Sequence, residues 1–159
     1  MPFELTTPFQ LKRLDEKILY LEKRLADVSA EAATAAESFG DLIDNAEFEY
    51  AIKREDLLTH QLNDLISQRR EYIVIGTDKI DLKSVAIGTS IQVLNKNTQQ
   101  SSVYNIVGSG PIDMDQNEVS YKSPIGQALY GAKIGESRKA VVPIGTLDLL
   151  VVGISKYTH

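Results

Sequence analysis

The sequence predicts an α+β protein: an N-terminal antiparallel coiled-coil hairpin followed by a small antiparallel β-sheet domain carrying one helix. Three observations predict it. Apolar or small residues at Leu11, Leu14, Ile18, Leu21, Leu25, Val28, Ala32, Ala35 and Phe39 alternate spacings of three and four, which is the a/d seam of a coiled coil. A similar seam resumes at Phe48, Ala51, Leu58, Leu62, Leu65 and Tyr72, with Glu55 and Arg69 as polar breaks. From Val85 onward the texture changes to short β-rich segments divided by Gly, Pro and Asn turns. The expected boundaries are a hairpin over 1–76 with its tip near 40–47, a polar hinge over 77–83, and the sheet domain over 84–159.

Residues 1–7 read as a lead-in, with Thr6 or Thr7 as N-cap and Pro8 at the first helical position. The first arm is expected over 9–39 and the second over 45–72. An arm of about 30 residues is about 45 Å long. Alanine dominates 30–36, so the two arms approach closely there. Gly40 suits the residue after the first helix, and Asp41 suits the cap of the second. Ile73-Val74-Ile75-Gly76 ends the helical period. Strands are expected over 85–94, 102–107, 118–121, 137–142 and 147–154, and one helix over 123–132, capped by Ser123 with Pro124 at its start.

The formal net charge of −5 and pI near 5.1 argue against sequence-specific binding to duplex DNA. The 159 residues contain no cysteine, so thiolate metal sites and a disulfide framework are excluded. No apolar run approaches the ~20 residues that span a bilayer, and the N-terminus lacks the features of a signal peptide. A cytoplasmic monomer is expected. Charge is unevenly placed. Between Arg24 and Lys53 there is no Lys or Arg, while Asp27, Glu31, Glu37, Asp41, Asp44, Glu47 and Glu49 all fall there. The base of the hairpin mixes signs with Lys12, Arg13, Asp15, Glu16 and Lys17. A charge run is ordinarily a solvated face, but an acidic distal end on a mixed-charge shaft suits a metal ion or a basic channel.

Two motifs carry a family resemblance. The tip Gly40-Asp41-Leu42-Ile43-Asp44-Asn45-Ala46-Glu47-Phe48 is similar to G-D-L-x-E-N-A-E-Y, and Ser123-Pro124-Ile125-Gly126-Gln127-Ala128-Leu129-Tyr130-Gly131 is similar to S-P-[IL]-[AG]-x-A-L-[ILM]-G. In this order and at this separation they resemble the bacterial transcript cleavage factors of the Gre (GreA/GreB) family, GreA more than GreB. The resemblance covers the whole chain and implies that the sheet domain is FKBP-like.

It also implies a function. In that family the hairpin enters the secondary channel of bacterial RNA polymerase, and the tip acids stimulate Mg²⁺-dependent cleavage of a backtracked nascent RNA 3′ end. Carried over by position, Asp41 and Asp44 are the catalytic acids and the ligands of a Mg²⁺ shared with the polymerase active site and weakly held by the factor alone. Ile43, Asn45, Glu47, Lys53, Arg54, Ser123 and Pro124 are the implied polymerase or RNA contacts. The factor by itself is not an enzyme. Asp44 stands where the family usually has Glu, and its carboxylate is one methylene shorter. Ile43 is apolar where polar residues are common. Those departures keep an alternative open: a Gre-like paralogue that occupies the channel and inhibits or modulates transcription without promoting cleavage. A coiled-coil adaptor unrelated to transcription would instead use the hairpin faces rather than the tip. Prolyl isomerase activity is not expected, because every Phe lies before the sheet domain and Trp is absent. His60 and His159 read as surface residues.

Overall fold

Thr7 opens the first helix. Its Oγ1 accepts from the Gln10 backbone N–H at 3.3 Å, and the Gln10 side-chain Oε1 accepts from the Thr7 N–H at 3.4 Å. This reciprocal capping box satisfies two otherwise orphaned donors, and it selects Thr7 over Thr6 as the cap. The structure is a computed structural model that describes residues 3–37 and 46–158. In chain order the elements are β1 (Glu4–Thr6), α1 (Pro8–Glu37), α2 (Ala46–Glu71), β2 (Tyr72–Val74), β3 (Thr89–Asn95), β4 (Gln100–Val107), a 3-10 turn (Met114–Gln116), β5 (Glu118–Ser120), α3 (Pro124–Leu129), β6 (Ser137–Val142) and β7 (Gly145–Lys156). They form two compact units: Arg13–Glu71, and Met1–Lys12 with Tyr72–His159.

The first unit holds the two arms. Leu14, Leu21, Val28, Ala32, Ala51 and Leu62 are buried along it, as the two seams require. Ion pairs link Asp15 to Arg69 and Glu31 to Arg54. A residue early in α1 pairs with one late in α2, and a later one with an earlier one, so the arms are antiparallel.

The second unit is a five-stranded sheet in the order β5-β4-β3-β7-β6, beside a two-stranded sheet of β1 and β2. Its core includes Val85, Ile91, Val93, Ile106, Leu129 and Val151, each 1% exposed or less. Leu129 is a core residue, and Ile125 and Ala128 pack against the core. Several details depart from expectation. The compact units divide at Lys12/Arg13 and Glu71/Tyr72 rather than at 76, because β1 and the first turn of α1 belong with the sheets. The β4–β5 and β1–β2 pairs are parallel, so the sheets are not wholly antiparallel. The strand expected over 85–94 begins only at Thr89, because Gly88 takes a φ of +92° and Thr89 Oγ1 donates to the Ala86 carbonyl. The helix expected over 123–132 ends at Leu129: Gly131 turns left-handed and its N–H goes to Val85 O.

The N-terminal segment is stitched into this unit by Gln10, which is fully buried. Its Nε2 donates to Gly108 O at 2.9 Å, and its Oε1 accepts from Gly108 N at 2.7 Å. One side-chain amide thus completes both backbone groups of a residue 98 positions away. Gly108 must be glycine: a Cβ there would lie 2.4 Å from Leu5 O. Ser109 N donates to Leu5 O, and Tyr121 Oη accepts from Leu5 N. Glu4 pairs with Lys122 at 2.7 Å. A second buried clamp joins Tyr157 Oη to Glu118 Oε2 at 2.6 Å, while Glu118 Oε1 accepts from Asp113 N.

Candidate functional site

The seam and the ion-pair order define where the hairpin reverses: α1 closes at Glu37 and α2 opens at Ala46. Asp41, Ile43, Asp44 and Asn45 all fall between, outside the described residues, as does the proposed capping role of Asp41. Glu47 lies in the first turn of α2. The helices leading to the reversal present exposed carboxylates at Asp27, Glu31 and Glu49. At 30 and 26 residues, the arms are about 45 and 39 Å long.

Lys53 is exposed. Arg54 is engaged: its guanidinium bonds Glu31 Oε2 at 3.2 Å and lies 5.6 Å from the centroid of the Tyr50 ring. The structure therefore gives Arg54 an inter-arm role, and Lys53 is the more exposed cation of the pair. At the base, Arg69 draws the Asp15 carboxyl below its ordinary range through a hydrogen bond first and charge second.

Ser123 and Pro124 are placed by the short helix α3. Ser123 Oγ accepts from Gly126 N at 3.0 Å and donates to Ser120 O at 2.6 Å, so its hydroxyl is used in capping. Pro124 is exposed at the helix start. Gly126 lets the helix lie on β5, since a Cβ there would sit 2.0 Å from Ser120 O. Beside it the Lys122 ammonium and the Ser109 hydroxyl hold the Glu4 carboxyl below the usual range.

Among the described residues no group of three His, Cys, Asp or Glu side chains is arranged to hold a metal ion. In the sequence between α1 and α2, Asp41 and Asp44 are hard oxygen donors of the kind Mg²⁺ prefers, and one or two carboxylates suffice for an ion that keeps several waters. The donor chemistry of Asp41 and Asp44 fits Mg²⁺.

Residues 71–156 match the family model described as "Transcription elongation factor, GreA/GreB, C-term". The chain is 33% identical over 146 residues to a "Transcription elongation factor GreA" of Caldanaerobacter subterraneus subsp. tengcongensis, covering 92% of this chain and 93% of that one. The chain belongs to the GreA/GreB transcription elongation factor family. A GreA of Streptococcus sanguinis is 31% identical over 160 residues, covering 96% of this chain and 98% of that one. Among solved structures, GreA factor homolog 1 of Thermus thermophilus aligns over 98% of this chain and 99% of its own at a TM-score of 0.45 and 18% identity. The Gre family model spans the sheet unit from β2 to β7, whereas the GreA relatives extend through the hairpin as well. Among the described residues, no helix is long and apolar enough to cross a membrane.

Two contacts central to the Gre-family sheet unit escape the sequence reading. Gln10 is legible only as half of a T-x-x-Q capping box, and its bond to Gly108 has no local signal. Glu118 and Tyr157 lie 39 residues apart, and nothing in the spacing pairs them.

Proposed function

We propose that this Gre-family chain binds bacterial RNA polymerase, passes its hairpin tip into the secondary channel and stimulates cleavage of the backtracked nascent RNA 3′ end. The feature that supports the reading is a pair of aspartates, Asp41 and Asp44, in the sequence between α1 and α2, two helices of about 45 and 39 Å. A hairpin of two such helices can carry carboxylates at its tip about 40 Å from its base. Asp41 and Asp44 would hold Mg²⁺, which supplies Lewis-acid polarisation and a more acidic bound water when present. The chain's own contribution is to position the two carboxylates, one of which orients or deprotonates the attacking water. Ile43, Asn45, Glu47 and Lys53 are the proposed contacts beside the tip, and Pro124 with the capped start of α3 is the proposed contact on the sheet unit. The factor acts as a cytoplasmic monomer without nuclease activity of its own and without sequence-specific DNA binding.

The test is RNA release from a stalled, backtracked polymerase complex in Mg²⁺, with the wild-type chain, Asp41→Asn and Asp44→Asn. The wild type is expected to accelerate 3′-fragment release, and each variant to lose at least about tenfold of that acceleration, equivalent to about 1.4 kcal/mol of barrier, while still competing for the polymerase. Competition by the wild type without faster release would instead identify a channel-occupying modulator.

A further inference from the structure

Strand β6 closes one side of the five-stranded sheet, and among the described residues it pairs with β7 alone. Its register with β7 runs from Ser137↔Leu150 to Val142↔Gly145. Val151 N donates to Glu136 O, which places 136, 138, 140 and 142 on the β7 side of the ladder. In an antiparallel pair the alternate residues direct both backbone groups away. The N–H and C=O of Ser137, Lys139 and Val141 therefore face outward at strand spacing, a row of three donors and three acceptors that no backbone group among the described residues fills.

The side chains sharpen this. Val141 is 72% exposed, and the strand is flanked by Ile134 at 60% and Ile144 at 89%. Native edges are ordinarily blunted by charge, proline or a bulge; here Lys139 stands mid-row and Pro143 follows the strand, leaving Ser137 and Val141 without such protection. A second copy is disfavoured, because the two-fold register that uses all three outward residues sets Lys139 opposite its own counterpart, and like charges directly opposite repel.

We propose that β6 is a docking edge for an extended segment of another protein, which adds a sixth strand and sets a carboxylate against Lys139 and an apolar side chain against Val141. Backbone bonds supply the attachment and the two side-chain positions supply the choice of sequence. This inference is independent of the polymerase reading, since it uses neither the tip nor α3.

The probe is the capped peptide acetyl-Thr-Val-Thr-Glu-Thr-Val-Thr-amide, whose sequence reads the same in both directions. Parallel and antiparallel docking both bring its Glu to Lys139 and a Val to Val141. Titrated into the isotope-labelled full chain, it is expected to give saturable shifts, with amide exchange slowed about tenfold at Ser137, Lys139 and Val141 and unchanged at Arg138, Ala140 and Val142. Replacing the peptide's Glu by Lys is expected to weaken binding about tenfold, and Lys139→Glu to invert that preference. Val141→Pro removes an outward donor without touching the β7 ladder and is expected to weaken binding about tenfold as well. The proposal is overturned by no saturable shift at millimolar peptide, by a preference that Lys139→Glu leaves unchanged, or by protection of the outward amides that depends on protein concentration alone.

Discussion

The hairpin and the sheet unit are held by different kinds of contact. Along the described hairpin residues, burial is confined to a single stripe of side chains, and ion pairs at the surface, Asp15–Arg69 and Glu31–Arg54, link the arms. In the sheet unit a contiguous core is enclosed, and polar side chains are buried with it: Gln10 on Gly108 and Glu118 on Tyr157. A helical rod can be assembled from contacts that are short-range or repeated, each contributing little. The sheet unit depends on a few contacts between residues 39 to 98 positions apart, each of which is unforgiving.

The largest effect that comparison predicts is in the core. Ile106→Ala removes a fully buried side chain and is expected to destabilise the sheet unit by about 4 kcal/mol, against about 2 kcal/mol for Leu21→Ala in the hairpin stripe, where solvent lies close by and the arms can settle together. Denaturant unfolding of both variants, with amide exchange to assign the loss to a unit, checks the ordering; equal losses would remove the contrast. Next is the amide clamp. Gln10→Leu keeps the bulk but leaves Gly108 N–H and C=O without their partner, an expected loss of about 3 kcal/mol. Gln10→Glu retains an acceptor for Gly108 N and should fall between the two in a thermal or denaturant melt.

The smallest effects lie at the exposed ion pairs. Asp15→Asn is expected to cost no more than about 0.5 kcal/mol, discounted for exposure and diminishing in salt. The pH dependence has a definite sign. Asp15 and Glu4 both have carboxyls held below their ordinary values, by Arg69 and by Lys122 respectively. Their contribution is fully present above the unfolded carboxylate range near pH 4 and is lost as pH falls through the lower folded values. The double variant Asp15→Asn/Glu4→Gln should therefore show a flatter acid limb of stability than the wild type, with no change near neutrality beyond the small pair energies. An unchanged acid limb would place the pH dependence elsewhere.

What could be read in the sequence follows the same division. Periodicity exposed the hairpin seam from Leu14 to Leu62, and Ser123-Pro124 marked the start of α3, because the signals are local. The parallel β4–β5 pair and the three-residue strands β1 and β2 were illegible, since three residues carry no period and register with a distant strand leaves no local trace. Val85 and Ile87 alternate as a strand would, yet they are core residues of a turn that Gly88 reverses. Gln10 carries no local signal of burial in the first turn of a helix; only the approach of Gly108 makes it a core residue. For the candidate site, the sequence supplied the two aspartates and their place at the reversal, and those residues lie outside what the structure describes. The structure added what surrounds them in sequence: arms of defined length, antiparallel order, and an Arg54 already occupied by Glu31.

The Gln10–Gly108 clamp has a consequence for the order in which the chain takes shape. Residues up to Lys12 belong with the sheet unit, so the hairpin is an insertion into that unit and not a domain standing in front of it. During synthesis, residues 13–71 can pair as soon as they emerge, while Gln10 waits with its amide uncommitted until Gly108 has been made. Closing the gap between Lys12 and Tyr72 with a short flexible linker would delete the whole probe and leave both edges of the clamp intact. Trimming the chain to residue 12, far from the sheet in sequence, would strike the sheet itself.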